Sequence, residues 1–147
     1  MTHTSSKVWV FFYGTIMDPR VLREYGVTPD RVVSARLAGF RLSVRPRPNL
    51  VPAEDSCAFG SLMKVAREDL SRIYELLEER FALRYLPEAV MVETLEGWLC
   101  PALCYVVPDM AAAPPDAEFV KQLAECVRTM QLPESYATYI ESLAAGG

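Results

Sequence analysis

The first third of the chain shows a strand pattern followed by a helix signal. Residues 7–13 (Lys-Val-Trp-Val-Phe-Phe-Tyr) are β-branched and aromatic and are apolar on both faces, which predicts a strand buried on both sides. Gly14 ends this strand, and Asp18 and Pro19 predict the N-cap and first position of a short helix that Gly26 closes. The predicted order is therefore buried strand, tight turn and short helix.

The middle of the chain is rich in strand patterns. Strands are predicted at 32–44 (bent at Gly39), 57–65, 90–94 and 98–107, the last two as a hairpin around Glu96-Gly97. Residues 45–55 hold three prolines and an asparagine and are predicted to form a loop.

The end of the chain is helical in pattern. Residues 111–116 form an Ala/Pro linker whose Asp116 can cap a helix. The apolar stripe of that helix is Phe119, Val120, Leu123, Val127 and Met130. Pro133 opens a last short helix. Strands therefore dominate the first two-thirds, which predicts a single α+β domain over residues 1–147, with residues 1–6 expected to be disordered.

Composition and charge narrow the function. The formal net charge of −4 and a pI near 5.1 argue against a nucleic-acid-binding protein. No apolar run reaches the length of a membrane span, and the polar first residues do not resemble a signal peptide. We therefore expect no nucleic-acid or membrane partner and a cytoplasmic location; the oligomeric state is left open.

A local cluster of arginines departs from the acidic balance. Arg36, Arg41, Arg45 and Arg47 lie close together in the sequence. A solvated strand face followed by a loop is the favoured interpretation. An anion-contacting rim beside a pocket is the alternative.

The cysteines do not indicate a metal site or a nucleophile. Cys100 and Cys104 lie in an apolar strand pattern without zinc-ligand spacing, and the single histidine, His3, sits near the terminus. A cysteine or serine nucleophile would lack a histidine base. We interpret the four thiols, Cys57, Cys100, Cys104 and Cys126, as structural, and expect no bound metal.

The turn Tyr13-Gly14-Thr15-Ile16 is the first candidate site. A glycine after a buried strand lets the backbone approach a ligand closely, and the N–H groups that lead into a helix are free to bind an anion. The sequence lacks the second glycine and the lysine of a phosphate loop. On this pattern alone an ordinary strand-to-helix turn is the more common interpretation.

The second candidate lies on a predicted helix over residues 68–81. Leu70, Ile73, Tyr74, Leu77 and Phe81 fall on one face of it. Glu75 and Glu79 then point to solvent, whereas Glu78 lies at the border of the apolar stripe, where partial desolvation suits a general base. The geometry alone does not decide between a surface and a catalytic role for Glu78.

Tyrosines form the third candidate set: Tyr13, Tyr85, Tyr105, Tyr136 and Tyr139. Most are expected to be amphipathic residues at the edge of the core. For Tyr13 and Tyr85 a phenol that reaches into a pocket is the alternative.

The segment Phe11-Phe12-Tyr13-Gly14-Thr15-Ile16-Met17-Asp18-Pro19 resembles the N-terminal signature of the γ-glutamylcyclotransferase-like superfamily, in its γ-glutamylamine cyclotransferase and avirulence-induced-gene-like branch. Four further segments follow the order of that family, namely Ala58 to Leu62, the helix Glu68 to Glu78, Ala102 to Tyr105 and Leu132 to Tyr136. The resemblance covers about residues 8 to 143.

This resemblance implies a mixed α+β fold around a small β-barrel. It implies that Tyr13, Gly14, Thr15 and Ile16 hold the α-carboxylate of a γ-glutamyl substrate through backbone N–H groups, with Tyr85 beside it. It also implies that Glu78 is the catalytic acid and base, since it occupies the glutamate of the family's Leu-Asp-x-x-Glu-Gly segment with a tyrosine seven residues later.

The reaction that the resemblance implies is a γ-glutamyl cyclotransfer, which releases 5-oxoproline and an amine and needs no metal or organic cofactor. Departures from the family pattern at Tyr74, Glu79 and Leu86 motivate an alternative, a relative that only binds a small carboxylate. A third possibility is an interaction domain without a pocket. The residues do not identify the amine that leaves.

Overall fold

The computed structural model describes residues 6–145. It contains five strands and four helices: β1 (Lys7–Phe12), α1 (Pro19–Glu24), β2 (Arg31–Val44), β3 (Pro48–Ala66), α2 (Arg67–Phe81), β4 (Leu86–Thr94), β5 (Leu99–Val106), α3 (Ala117–Thr129) and α4 (Glu134–Ala145). Residues 1–5, which include His3 and all of the segment expected to be disordered except Ser6, lie outside this range.

The five strands close into one barrel in the order β1-β3-β2-β4-β5. Neighbouring strands are antiparallel except where β5 meets β1, a parallel contact that pairs Val10 with Leu103. The α+β class and the small barrel are therefore confirmed. Within the described residues no helix is both long and apolar enough to cross a membrane.

Strand β1 is buried most deeply at its end, where Val10, Phe11 and Phe12 are almost inaccessible to solvent. The predicted burial on both sides holds for these three residues, whereas Lys7 at the start of the strand is exposed. Because the chain leaves β1 from its most buried end, the turn that follows starts inside the protein.

The predicted loop at 45–55 is wrong, because most of it belongs to β3. Pro48 is the first residue of β3, where a missing N–H group costs no ladder bond, and Pro52 pairs with Phe40 beside the register shift at Gly39. Only residues 45–47 remain as the turn of a long β2–β3 hairpin. The prolines therefore mark a strand start and a bulge rather than a loop.

Most local signals in the sequence are confirmed. Asp18 caps α1 with Pro19 at its first position, and Gly26 follows α1 with a left-handed φ of 81°. Gly39 has a φ of 87° at the predicted bend of β2. Asp116 caps α3 by accepting a hydrogen bond from the N–H group of Glu118.

Replacing Asp18 with asparagine is expected to reduce stability at neutral pH by about 1 kcal/mol or less. Burial of Asp18 raises its pKa, but hydrogen bonds from Arg20 outweigh burial and hold the pKa below its ordinary value of 3.8. A depressed folded-state pKa stabilises the protein above the unfolded value, and the stabilisation disappears as the pH falls through the folded value. Urea unfolding should therefore show a gap between wild type and variant at pH 7 that closes towards pH 3. An equal gap at both values would contradict this account.

Candidate active site

A cavity lies where β1 ends and its turn begins. The cavity is narrow, with a volume of about 50 Å³, and is partly open to solvent. Its walls are largely aromatic, formed by Phe12, Tyr13, Tyr25, Tyr74, Tyr85, Tyr105 and Phe119. The remaining lining residues are Gly14, Thr15, Ile16, Arg47, Pro48 and Leu77. The five residues expected to bind substrate, Tyr13 to Ile16 and Tyr85, therefore share one cavity.

The turn after β1 presents unused backbone donors to this cavity. Thr15–Met17 form a single turn of 3₁₀-helix, in which Met17 N–H donates to the Gly14 carbonyl. Within residues 6–145 no acceptor is found for the N–H groups of Gly14, Thr15 and Ile16, as expected at the start of a helix. These donors are therefore available to a ligand, and anion binding by this turn stays a prediction.

Gly14 is favoured here by a close approach to Pro48 rather than by a special backbone conformation. Its φ of −99° and ψ of −162° are open to any residue. A Cβ atom at this position would lie 3.3 Å from Cγ of Pro48, which is tighter than ordinary contact. Gly14 therefore lets the turn pack against the β2–β3 hairpin.

Strand β3 holds the turn after β1 in place through two of its residues. The buried hydroxyl of Ser61 donates to the Met17 carbonyl at 2.5 Å. Next to it, Gly60 lies so close to β1 that a Cβ atom would stand 2.1 Å from the carbonyl oxygen of Phe12. These two residues fix the end of β1 and hence the position of the donors.

The tyrosines of the cavity wall differ in the contacts of their hydroxyl groups and rings. Tyr13 donates to the Tyr105 carbonyl at 2.6 Å, so its phenol supports the cavity wall and its ring lines it. Tyr74 stacks on Tyr105 with ring centroids 3.9 Å apart and lies 5.1 Å from the ring of Tyr85. Burial raises the pKa of Tyr13, Tyr74 and Tyr85, so all three remain neutral at physiological pH.

The other two tyrosines of the set lie away from the cavity. Tyr139 donates to the Leu42 carbonyl at 2.8 Å, and its ring packs 6.2 Å from that of Tyr136. Both contribute to the packing of α4 against the core, as expected for structural tyrosines.

Glu78 lies beside the cavity rather than among the residues that line it. As predicted, it is half-buried on α2 while Glu75 and Glu79 are exposed. Its Oε2 atom accepts a hydrogen bond of 2.8 Å from the N–H group of Tyr85, a residue of the cavity wall. One carboxylate oxygen is therefore anchored at the cavity edge.

The position of Glu78 on α2 explains this placement. Tyr74 and Leu77, which line the cavity, precede it by four residues and by one, and residues four apart share a helix face. After α2 ends at Phe81, Ala82 adopts a left-handed conformation that turns the chain back. This reversal places the backbone N–H group of Tyr85 next to the carboxylate of Glu78.

Of the four clustered arginines, one lines the cavity. Arg36 forms an exposed ion pair with Glu93, and Arg41 and Arg45 are exposed, in agreement with a solvated surface. Arg47 instead lies half-buried against the rings of Phe81 and Phe119. The sequence shows a basic residue between two prolines, but not the direction of its side chain.

Three further lining residues were not expected at a site. The sequence predicts Phe119 in the core stripe of α3 and Tyr74 on the apolar face of α2, where it also departs from the family pattern, and it gives no signal at Tyr25. No sequence signal separates these aromatic residues from core residues, because both are apolar positions on a helix or at its end.

The thiols do not provide a nucleophile. All four cysteines are free, and burial raises the pKa of Cys104 to about 12 and that of Cys126 to about 11. Cys126 contacts the turn, with Sγ 3.8 Å from the Thr15 carbonyl, but its raised pKa keeps it protonated at physiological pH. Within residues 6–145 no cluster of histidine, cysteine, aspartate and glutamate side chains has the geometry of a metal site.

Comparisons with known proteins agree on the fold. The family described as gamma-glutamyl cyclotransferase, AIG2-like, matches residues 10–123. A solved gamma-glutamyl cyclotransferase is 18% identical and superposes with a TM-score of 0.77, over 93% of this chain and 88% of that chain. A yeast gamma-glutamyl cyclotransferase specific to glutathione is 12% identical, with a TM-score of 0.65 over 96% and 99% of the two chains.

A mouse AIG2-like protein is 19% identical, with a TM-score of 0.57 over 71% of this chain and 80% of that chain. A comparison with the sequences of curated proteins gives no match. At these identities the structural similarity establishes the fold.

Proposed function

Because this chain belongs to the gamma-glutamyl cyclotransferase, AIG2-like family, we propose that it converts a small γ-glutamyl amine or peptide into 5-oxoproline and a free amine. The γ-glutamyl group occupies the cavity at the end of β1. The free α-amine attacks the γ-carbonyl carbon of the same molecule, and the bond from that carbon to the leaving nitrogen breaks.

In this proposal the turn after β1 binds the α-carboxylate. The N–H groups of Gly14, Thr15 and Ile16 supply donors without intramolecular partners in the described part of the chain. Aromatic walls around them exclude water, which strengthens the hydrogen bonds to an anion. Holding the carboxylate fixes the start of the γ-glutamyl chain, so that much of the rate gain comes from orientation of the amine towards its own γ-carbonyl.

Glu78 moves the protons in this proposal. Its Oε2 atom is anchored on Tyr85 N–H, which leaves the other oxygen to accept a proton from the α-ammonium. The same carboxyl group then returns this proton to the leaving nitrogen, and the second proton that the attacking nitrogen loses on ring closure also passes to the amine, which leaves as an ammonium ion. The observation that supports this most strongly is the hydrogen bond between Glu78 and Tyr85, because it joins the proposed base to the cavity that contains the donors of the turn.

The second candidate function is binding of a small carboxylate without turnover. Glu78 does not itself line the cavity, which favours this candidate, whereas the donors of the turn serve both functions equally. Turnover distinguishes the two.

The test is release of 5-oxoproline from a panel of γ-glutamyl amines and dipeptides, measured by mass spectrometry with the purified protein. We expect equimolar 5-oxoproline and amine from at least one compound, at a rate well above spontaneous cyclisation in a heat-inactivated control. Binding of a panel member without turnover would contradict the cyclotransferase and support the carboxylate-binding function.

A further inference from the structure

Arg47 is held in place by aromatic rings rather than by an acidic partner. It lies in the turn between β2 and β3, and its Cζ atom is 3.8 Å from the ring centroid of Phe81 and 4.3 Å from that of Phe119. Such cation–π contacts are made with the ring faces and use none of the N–H···O hydrogen bonds that the five guanidinium donors can form. The rings therefore orient Arg47 without using its hydrogen bonds.

The donors of Arg47 lack an acceptor in the part of the chain that is described. Its Nε atom is buried and has no hydrogen-bond partner there, and no carboxylate of residues 6–145 lies within ion-pair distance. Arg20, Arg36 and Arg128 by contrast each pair with a carboxylate. Burial lowers the pKa of Arg47 from its ordinary value of 12.5, and the group stays charged at physiological pH. A half-buried cation without a partner is costly unless a ligand supplies the anion.

The location of Arg47 shows where that anion would lie. A wider groove of about 680 Å³ adjoins the cavity, and the two share Thr15, Tyr25, Arg47 and Phe119 as lining residues. Arg47 therefore stands at the passage between them. A substrate whose γ-glutamyl group fills the cavity can extend its leaving group through this passage.

We propose that Arg47 binds a carboxylate on the leaving amine and so selects γ-glutamyl derivatives of amino acids over those of uncharged amines. The inference rests on the proposed function, in which the turn after β1 already supplies the donors for the α-carboxylate. A planar carboxylate can accept two parallel hydrogen bonds from a guanidinium group, and no carboxylate of the described residues occupies that position at Arg47.

The test uses a pair of compounds that differ only in this carboxylate, γ-glutamylalanine and γ-glutamylalaninamide. For wild type we expect kcat/KM to be about 10- to 100-fold higher for the acid, which is the range for a charge-assisted hydrogen bond in a desolvated site. Arg47→Met keeps the packing length against Phe81 and Phe119 and should bring the ratio close to one. Arg47→Lys keeps the charge but not the two parallel donors and should give an intermediate ratio. Arg45→Met, an exposed arginine of the same turn, should keep the wild-type ratio.

Binding separates this inference from the proposed function. Titration calorimetry of both compounds with Glu78→Gln, alone and combined with Arg47→Met or Arg47→Lys, measures the same preference without turnover. If neither compound is turned over but the acid binds more tightly and the preference is lost with Arg47→Met, the cyclotransferase proposal fails and the role of Arg47 stands. Three results overturn the inference. The first is that the wild type treats the acid and the amide alike, and the second is that the Arg47 variants lose affinity or kcat/KM equally for both compounds. The third is that the wild type neither binds nor turns over either compound. If Arg47→Met does not fold, the acid-to-amide ratio of kcat/KM in the wild type and in Arg47→Lys tests the inference instead.

Discussion

Replacing Glu78 with glutamine is expected to lower 5-oxoproline release by at least about 100-fold, the usual contribution of a general acid and base. Glutamine keeps a carbonyl oxygen that can accept the hydrogen bond from Tyr85 N–H, so the cavity edge should retain its shape. It cannot accept a proton from the α-ammonium group. The loss should therefore appear in kcat, measured by mass spectrometry, while the melting temperature stays close to that of wild type.

Glu75 offers a matched control for this substitution. It lies on the same helix one turn earlier and is exposed. Glu75→Gln removes the same charge and should leave turnover within about twofold of wild type, because an exposed charge at this distance contributes little. Wild-type turnover by Glu78→Gln would rule out Glu78 as the acid and base.

Gly60→Ala is expected to destabilise the protein by about 3 kcal/mol or more, because the added methyl group meets backbone that cannot move aside. A Cβ atom at Gly60 would lie 2.1 Å from the Phe12 carbonyl oxygen and 3.2 Å from Cζ of Phe11. Relief requires β1 and β3 to separate, although they pair along the whole length of β1. The midpoint of urea unfolding and the soluble yield measure the effect.

Gly14→Ala is the comparison for this prediction. There the same methyl group meets only Cγ of the Pro48 ring at 3.3 Å, and the backbone is extended. We expect a loss below about 1 kcal/mol, since a shift of a few tenths of an ångström relieves the contact. An unfolding midpoint for Gly60→Ala equal to that of wild type would show that the strands can separate, and would contradict the tight junction that positions the turn.

The sequence predicts those parts of the fold that depend on local chemistry. The Asp18 cap, the bend at Gly39 and the border position of Glu78 follow from hydrogen-bonding groups, backbone freedom and helical period within a few residues, and the structure confirms all three. The extent of β3 does not follow in this way. Whether Pro52 interrupts a strand depends on the residue opposite, and that residue lies next to a bulge in another strand.

The candidate site shows the same division. The turn after β1 is visible in the sequence because a glycine follows a buried strand. The contact of Arg47 with Phe81 and Phe119 depends on closure of the barrel, which brings a hairpin turn, the end of α2 and the start of α3 together. No local sequence pattern predicts that these three segments, which are far apart in the chain, pack together. The proposed reaction itself comes from the family to which the chain belongs, since the residues alone predict only a turn that can bind an anion and a carboxylate that can act as a base.

The most direct measurement is a crystal structure of Glu78→Gln with γ-glutamylalanine bound. The variant should hold the compound without converting it. We expect the α-carboxylate on the N–H groups of Gly14, Thr15 and Ile16 and the γ-carbonyl beside residue 78. A ligand bound in the opposite direction or outside this cavity, or an empty cavity at saturating concentration, would contradict the account.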